Sequence, residues 1–276
     1  MTGVDSSSTG RPATPDALTR RRLLRIAGTA GLAAAAGVAC QAPAGYGKNT
    51  TTNPTAPTSA TAAPAAPPPS PAPAPPLPPT THPLLCRDAW GANPPQPGGK
   101  PNPLSRMTIH HTAVTLGDNS NAPARLRQHQ QYHQGSQGWI DIAYHVSVDR
   151  DGNLYELRDP NIVGDTATSY DPTGHFLVVC EGNFDEEEVT EAQLDGAALA
   201  FAWAATRFGI PTDTLTGHRD QSGDTACPGT NLYSHVTSGD LKRRIDALLA
   251  QGPVELVSVC GPEGTQTVAD IEAGIR

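Results

Sequence analysis

The chain of 276 residues contains no Cys-x-x-Cys pair and no His-Glu-x-x-His segment. The first absence removes the zinc-ribbon kind of structural metal site, and the second removes the helix-borne zinc hydrolase with its built-in general base. Beyond the N-terminal segment no long run of lysine and arginine offers a basic patch, and the formal net charge is −8. A nucleic-acid-binding function is therefore not expected. The apolar Ala/Gly-rich run Ile26 to Ala39 is too short to span a bilayer as a helix. Between residues 41 and 83 large apolar side chains are nearly missing, so that stretch cannot bury enough surface to offset its chain entropy.

Proline fills that stretch instead: fourteen of the 28 prolines fall between Pro43 and Pro83. Residues 41–83 read as a disordered Pro/Ala/Thr linker. At ~3.1 Å per residue in a polyproline II conformation it could reach on the order of 100 Å. Residues 1–40 read as an export signal. Thr19, Arg20-Arg21, Leu23-Leu24 and Arg25 resemble the twin-arginine pattern, with a plain secretory signal or a basic amphipathic helix as alternatives. Gly37-Val38-Ala39-Cys40 resembles a lipoprotein cleavage box in which Cys40 would be lipidated; ordinary cleavage at a nearby small residue is the alternative. The chain is thus expected to be exported to an extracytoplasmic place, cell wall or periplasm, its one membrane tie being a lipid on Cys40.

From residue 84 to 252 the texture is that of a folded domain, followed by a tail, 253–276. Met107 to His111 reads as a strand. Ala143 to Val148 alternates with period two and turns through Asp151-Gly152 into Asn153 to Leu157, a hairpin. Phe176 to Cys180 is continuously apolar, as in a central strand buried on both faces. Helices are expected over Ala122 to Gln134, from a Thr190/Gln193 capping box to Phe208 with Gly209 closing it, and over Asp240 to Ala250. The fold class is therefore mixed α/β, a mixed sheet flanked by helices.

The loop from Gly217 to Gly229 carries His218 and Cys227 among Gly, Ser and Asp, and His110-His111 supplies further imidazoles. Imidazole and thiolate together suit zinc, and three protein ligands with one open position make a catalytic site. Adjacent strand residues face opposite ways, so the strand reading leaves the choice between His110 and His111 open. Of the other cysteines, Cys180 is expected to be a buried core thiol. Cys86 and Cys260 flank the folded region and are expected to form a disulfide.

Several segments in order carry a specific resemblance: Cys86 to Ala92, Ile109-His110-His111-Thr112-Ala113, Gly138-Trp139-Ile140-Asp141-Ile142-Ala143-Tyr144-His145, Asp151 to Glu156, Glu181-Gly182-Asn183-Phe184, Gly217-His218-Arg219-Asp220 and Ala226-Cys227-Pro228-Gly229. Over about 145 residues they resemble the type 2 N-acetylmuramoyl-L-alanine amidases, a superfamily that includes the peptidoglycan recognition proteins. The resemblance implies a zinc groove on one face of the sheet, with His110, His218 and Cys227 as ligands. Tyr144 matches the family's catalytic tyrosine, and Thr225 stands where a lysine or threonine assists. His111 is expected to support the site and, with Trp139 and Asn183, to border the substrate. His129, His133, His145 and His175 are expected to be structural or to line the groove. One departure is that His218 and Cys227 lie nine positions apart, one more than the family's spacing.

Two imidazoles and one thiolate leave zinc with a net charge near +1, enough to activate a water. Tyr144 and Thr225 would then assist the developing oxyanion. Glu181 is the candidate proton acceptor, and Asp141 and Asp220 are expected to fix loops. The implied function is zinc-dependent hydrolysis of the amide between the lactyl group of N-acetylmuramic acid and L-alanine, by a monomer whose partners are peptidoglycan or muropeptides. Peptidoglycan binding without hydrolysis, or cleavage of a different amide, are the competing functions.

Overall fold

The computed structural model describes residues 77–276. The export signal, Cys40 and most of the linker lie outside the described residues. Seven strands, β1 (Thr80–Leu85), β2 (Arg106–His111), β3 (Val146–Val148), β4 (Leu154–Glu156), β5 (His175–Cys180), β6 (Thr216–Gly217) and β7 (Val254–Val259), form one sheet in the order β6-β2-β5-β3-β4-β1-β7. Only β3 and β4 run antiparallel, as the hairpin at Asp151-Gly152 predicts; the other neighbours are parallel. The sheet is mixed and helices cover both faces, the fold class expected from the sequence.

The central strand β5 is buried throughout. It sends Phe176, Val178 and Cys180 to one face and Val179 to the other. On the first face lie α2 (Glu191–Phe208) and α5 (Asp240–Ala250). Gly196 of α2 sits where a Cβ would meet Val148 Cγ1 at 2.7 Å and Gly152 O at 2.9 Å, so this helix packs unusually close to the hairpin. On the second face, α1 (Ala122–Gly135) contributes Leu126 to a cluster with Trp90, Tyr155 and Leu157. Three further helices complete the chain: α3 (His218–Gln221), α4 (Thr230–Thr237) and α6 (Gly261–Glu272). None of the described helices is long and apolar enough to cross a membrane.

Thr190 caps α2, its hydroxyl accepting from Gln193 N at 3.0 Å, and Gly209 ends it at φ 68°. The reciprocal half of the capping box is not made. Gln193 Nε2 instead donates to Val148 O and Glu181 O, because its side chain is buried against the ends of two strands and finds its partners there.

Two boundaries differ from the sequence reading. β1 begins at Thr80, inside the segment assigned to the linker, and residues 253–276 are not a tail. All six residues of β1 pair with β7, and α6 folds back so that Val268 and Ile271 join Trp90 and Leu126. Cys86 and Cys260 are disulfide-bonded, with Cα atoms 5.1 Å apart, which ties this terminal strand and helix to the start of the domain. Neither strand is self-evident in sequence, since Pro83 interrupts one and each exists through the other.

Several imidazoles are held inside as neutral groups. Burial pushes His129, His133, His145 and His175 down to about 4. His145 is bonded to Leu177 N and Ile162 O, and His175 to Thr108 Oγ1. A folded pKa below the unfolded ~6.5 means that the unfolded chain takes up the proton first. Stability is therefore intact above pH 6.5 and is lost as pH falls toward 4. At pH 5 the two fully buried rings, His145 and His175, would each cost about 2 kcal/mol. Glu181, pushed up to about 8 by burial, and Asp149, also raised by burial, work the other way, but as two groups against four. The midpoint of thermal unfolding is expected to drop by about 10 °C between pH 7 and pH 5. A flat profile would show that these rings are already charged in the fold.

Candidate metal centre

β6 pairs with β2 in the register Thr108↔Thr216, Ile109↔Gly217. The next residue on each strand is a histidine, so His110 and His218 emerge side by side with ring centroids 4.6 Å apart. The pleat decides between the two neighbouring histidines. Ile109 points into the core under α2 and α5, so His110 points the opposite way, into a cleft beneath α1.

The third donor arrives from the loop after α3. Arg219 N bonds Cys227 O at 2.8 Å and Asp220 takes Gly217 N at 2.8 Å, closing the loop so that Cys227 Sγ lies 3.6 Å from His110 Nδ1. The loop spans the extra residue without displacing either ligand. Gly229 (φ 84°) ends it where an added Cβ would meet Phe184 C at 2.7 Å and His111 Nδ1 at 2.9 Å, so only glycine lets the backbone pass.

One donor atom from each of His110, His218 and Cys227 lies within 4.8 Å of the others, and all three residues are buried. Their hydrogen bonding suits a metal. Cys227 Sγ receives His111 N at 3.3 Å, and the buried Nε2 of His110 has no partner. His218 Nε2 is held by Thr168 Oγ1 at 2.8 Å, which leaves Nδ1 as its free donor. Burial holds His110 well below the ordinary histidine range and His218 at about 4, so both are neutral and ready to ligate. Burial pushes the Cys227 thiol up to about 12, so a cation would be needed to draw the thiolate out. Two imidazoles and one thiol facing a cleft of about 330 Å³ fit a zinc site with one position left open. Among the described residues the other cluster of this kind contains Cys86 and Cys260, whose sulfurs are bonded to each other.

A family model described as N-acetylmuramoyl-L-alanine amidase matches residues 100–230. Peptidoglycan-recognition protein SC2 of Drosophila melanogaster is 36% identical over 137 residues, 49% of this chain and 73% of that protein. The chain belongs to this amidase and peptidoglycan-recognition superfamily. The human N-acetylmuramoyl-L-alanine amidase is 37% identical over 161 residues, 55% of this chain but 27% of that longer protein. Among solved structures, wild-type Drosophila PGRP-LB shares 30% identity at a TM-score of 0.51, covering 58% of this chain and 94% of that one. Peptidoglycan recognition protein LE, solved in complex with tracheal cytotoxin, shares 29% identity at 0.52, covering 56% and 92%.

In this amidase-family chain the remaining expected residues divide. Tyr144 stands over His110, ring centroids 5.1 Å apart, and burial raises its hydroxyl pKa, so the phenol stays a neutral donor. Thr225 lines the cleft and accepts from Cys227 N at 3.1 Å, which leaves its own proton to give. Trp139 also lines the cleft, packed on His133 at 4.7 Å. His111 supports the site rather than ligating: its amide bonds Cys227 and its Nδ1 accepts from Phe184 N at 3.3 Å. Asn183 is not part of the cleft wall. Its side chain accepts from Asp185 N and shapes the turn after β5. Glu181 is fully buried and does not line the cleft either, because the last residues of β5 turn it inward, where Oε1 accepts from Ser147 Oγ at 2.8 Å. Asp141 and Asp220 hold loops as expected, through Ile142 N and Gly217 N.

Sequence reading did not find Thr168, Thr166 or Tyr170. They sit on the irregular segment between β4 and β5, with Thr168 bonded to His218 and Tyr170 edge-on to the same ring at 5.1 Å. A Thr-Ala-Thr in a loop carries no periodic or motif signal.

Proposed function

We propose that the chain is a zinc-dependent N-acetylmuramoyl-L-alanine amidase, cleaving the amide between the lactyl group of N-acetylmuramic acid and L-alanine in bacterial peptidoglycan. The observation that carries this reading is the convergence of His110, His218 and Cys227 with the Tyr144 phenol in one open cleft. A protein that only binds wall has no use for a buried thiol between two neutral imidazoles. The human relative, named for this activity, supports the reaction, and the tracheal cytotoxin complex of the PGRP-LE neighbour supports muropeptides as the ligand class.

Held by His110, His218 and Cys227, zinc would supply Lewis acidity and an activated water. The chain's own groups do the rest. The Tyr144 hydroxyl donates to the carbonyl oxygen as negative charge develops there, and Thr225 offers a second donor from the other wall. His133 accepts from Ala143 N at its Nδ1, so its neutral tautomer carries the proton on Nε2. With Trp139 against it, this imidazole lines the cleft as a fixed donor. Glu181 takes no proton from the reacting water, since Ser147 and the end of β5 hold it behind the wall. The protein would act as a monomer exported by the N-terminal segment, on a tether long enough to reach the wall, with Cys40 as a lipid anchor.

Purified cell wall incubated with the protein should release peptides with an L-alanine amino terminus, read by mass spectrometry. Tyr144→Phe should lower kcat about 100-fold with zinc content unchanged. Wall that retains protein without releasing peptides would leave only the binder.

A further inference from the structure

The segment between β4 and β5 runs along the wall of the metal cleft and is tied to the metal loop at two points. Gly164 brings it close, since a Cβ there would meet Leu177 Cδ1 and, at 2.5 Å, Ala143 O, and Arg158 holds Val163 O at 2.6 Å. Beyond Gly164, Thr168 N donates back to Thr166 Oγ1 at 3.1 Å, a tight turn that sets the two hydroxyl oxygens 2.7 Å apart. Thr168 Oγ1 lies 2.8 Å from His218 Nε2, and Ser169 Oγ lies 3.0 Å from Ser222 Oγ just past the end of α3. Among the described residues the one other hydrogen-bonding group in reach of that nitrogen is Thr166 Oγ1, at 3.5 Å.

Each hydroxyl has one proton to give, so the row from His218 through Thr168 to Thr166 can be ordered in two ways. In the first, Nε2 carries the imidazole proton and donates to Thr168, which donates to Thr166. Thr166 Oγ1 then accepts from both Thr168 N and Thr168 Oγ1, and its own proton is left for the cleft it lines. In the second, Thr166 donates to Thr168, Thr168 donates to a bare Nε2, and the imidazole proton sits on Nδ1. Since Nδ1 is the nitrogen His218 has left for a metal, only the first order lets it ligate.

We propose that Thr168 and Thr166 are positioning residues for the metal, a two-hydroxyl relay that locks His218 in its ligating tautomer and is itself set in one direction when the metal binds. The inference deepens the zinc reading above and rests on it. Tyr170, edge-on to the His218 ring at 5.1 Å, and His110, at 4.6 Å, fix the plane of that ring but take no proton from Nε2. The relay supplies what packing cannot, the choice between the two nitrogens of a neutral imidazole. Metal binding and the first order favour each other by linkage, so loading the site also leaves the Thr166 hydroxyl as a donor facing the cleft.

Zinc affinity of the full chain, measured by competition with a chelating dye, reads the relay without any hydrolysis. Thr168→Val, which keeps the shape and removes the hydroxyl, should weaken zinc binding about 10- to 100-fold, and Thr168→Ser should keep most of the affinity. Thr166→Val removes one bond from each order and should leave zinc affinity close to the parent's. In isotope-labelled, zinc-loaded protein, NMR should place the His218 proton on Nε2, and that proton should exchange with water faster in Thr168→Val. Melting curves of the metal-free proteins control for the fold. Equal zinc affinity in Thr168→Val, a Thr168→Ser no better than the valine, a loss in Thr166→Val as large as in Thr168→Val, or the proton on Nδ1 would overturn the proposal. A parent that binds no zinc would overturn the zinc reading together with it. Zinc affinities in the expected order, in a protein that releases no wall peptides, would sink the amidase reading alone.

Discussion

Cys227→Ala is expected to abolish stoichiometric zinc binding and to lower wall hydrolysis more than about 1000-fold, beyond the ~10–100-fold typical of a residue that merely orients a ligand. The reason is that Cys227 supplies the only thiol in the cleft, with Sγ 3.6 Å from His110 Nδ1 and its amide neighbour His111 arranged to bond the sulfur. Two neutral imidazoles alone form a weaker, more labile site, and the loop's two carboxylates are engaged elsewhere, Asp220 with Gly217 N and Tyr233, and Asp224 with Ser222. The fold should tolerate the change, since the side chain sits at a cleft wall and not in either apolar cluster. Elemental analysis and peptide release, with a thermal melt as control, check it. Activity that survives both chelation and Cys227→Ala would rule out the zinc mechanism.

Removing residues 253–276 is expected to cost more than about 5 kcal/mol and to lower the unfolding midpoint by at least about 10 °C, if the protein remains soluble at all. Three losses coincide. β1 loses its partner along all six residues, the Cys86–Cys260 disulfide across 174 positions is gone, and Val268 and Ile271 leave Trp90 and Leu126 uncovered. α6 also anchors the helix that roofs the cleft, through Arg127 and Glu272, so the truncated chain should hydrolyse wall poorly even where it folds. Cys260→Ser isolates the covalent part and should cost about 2–4 kcal/mol. A truncated chain that melts with the full one would show that β7 and α6 are an ornament.

How much of this was legible depended on the range of the signal. α2 and α5 were readable because the first carries its own caps and the second an apolar stripe, and the β3–β4 hairpin because Asp151-Gly152 sits between two short alternating runs. β1, β6 and β7 were not, because two to six residues of modest propensity become strands only when a distant partner pairs with them. Glu181 misled for a related reason. A carboxylate at the end of a strand looks available in sequence, yet β5 is buried on both faces and Glu181, the residue that follows it, is drawn inward with it. Thr168 was invisible because its role is a single bond to His218, 50 positions away.

The chemical inventory of the site was therefore decided by sequence alone: two imidazoles, one thiol and one phenol, in an order that specifies the family. Their roles were decided by tertiary structure. Whether His110 or His111 faces the metal depends on the pleat of β2, and whether His218 meets it depends on a register between Ile109 and Gly217 that local propensity does not encode. Pairing across that distance is chosen by the burial of the whole sheet, since a slip of one residue would turn every side chain of β2 to the wrong face.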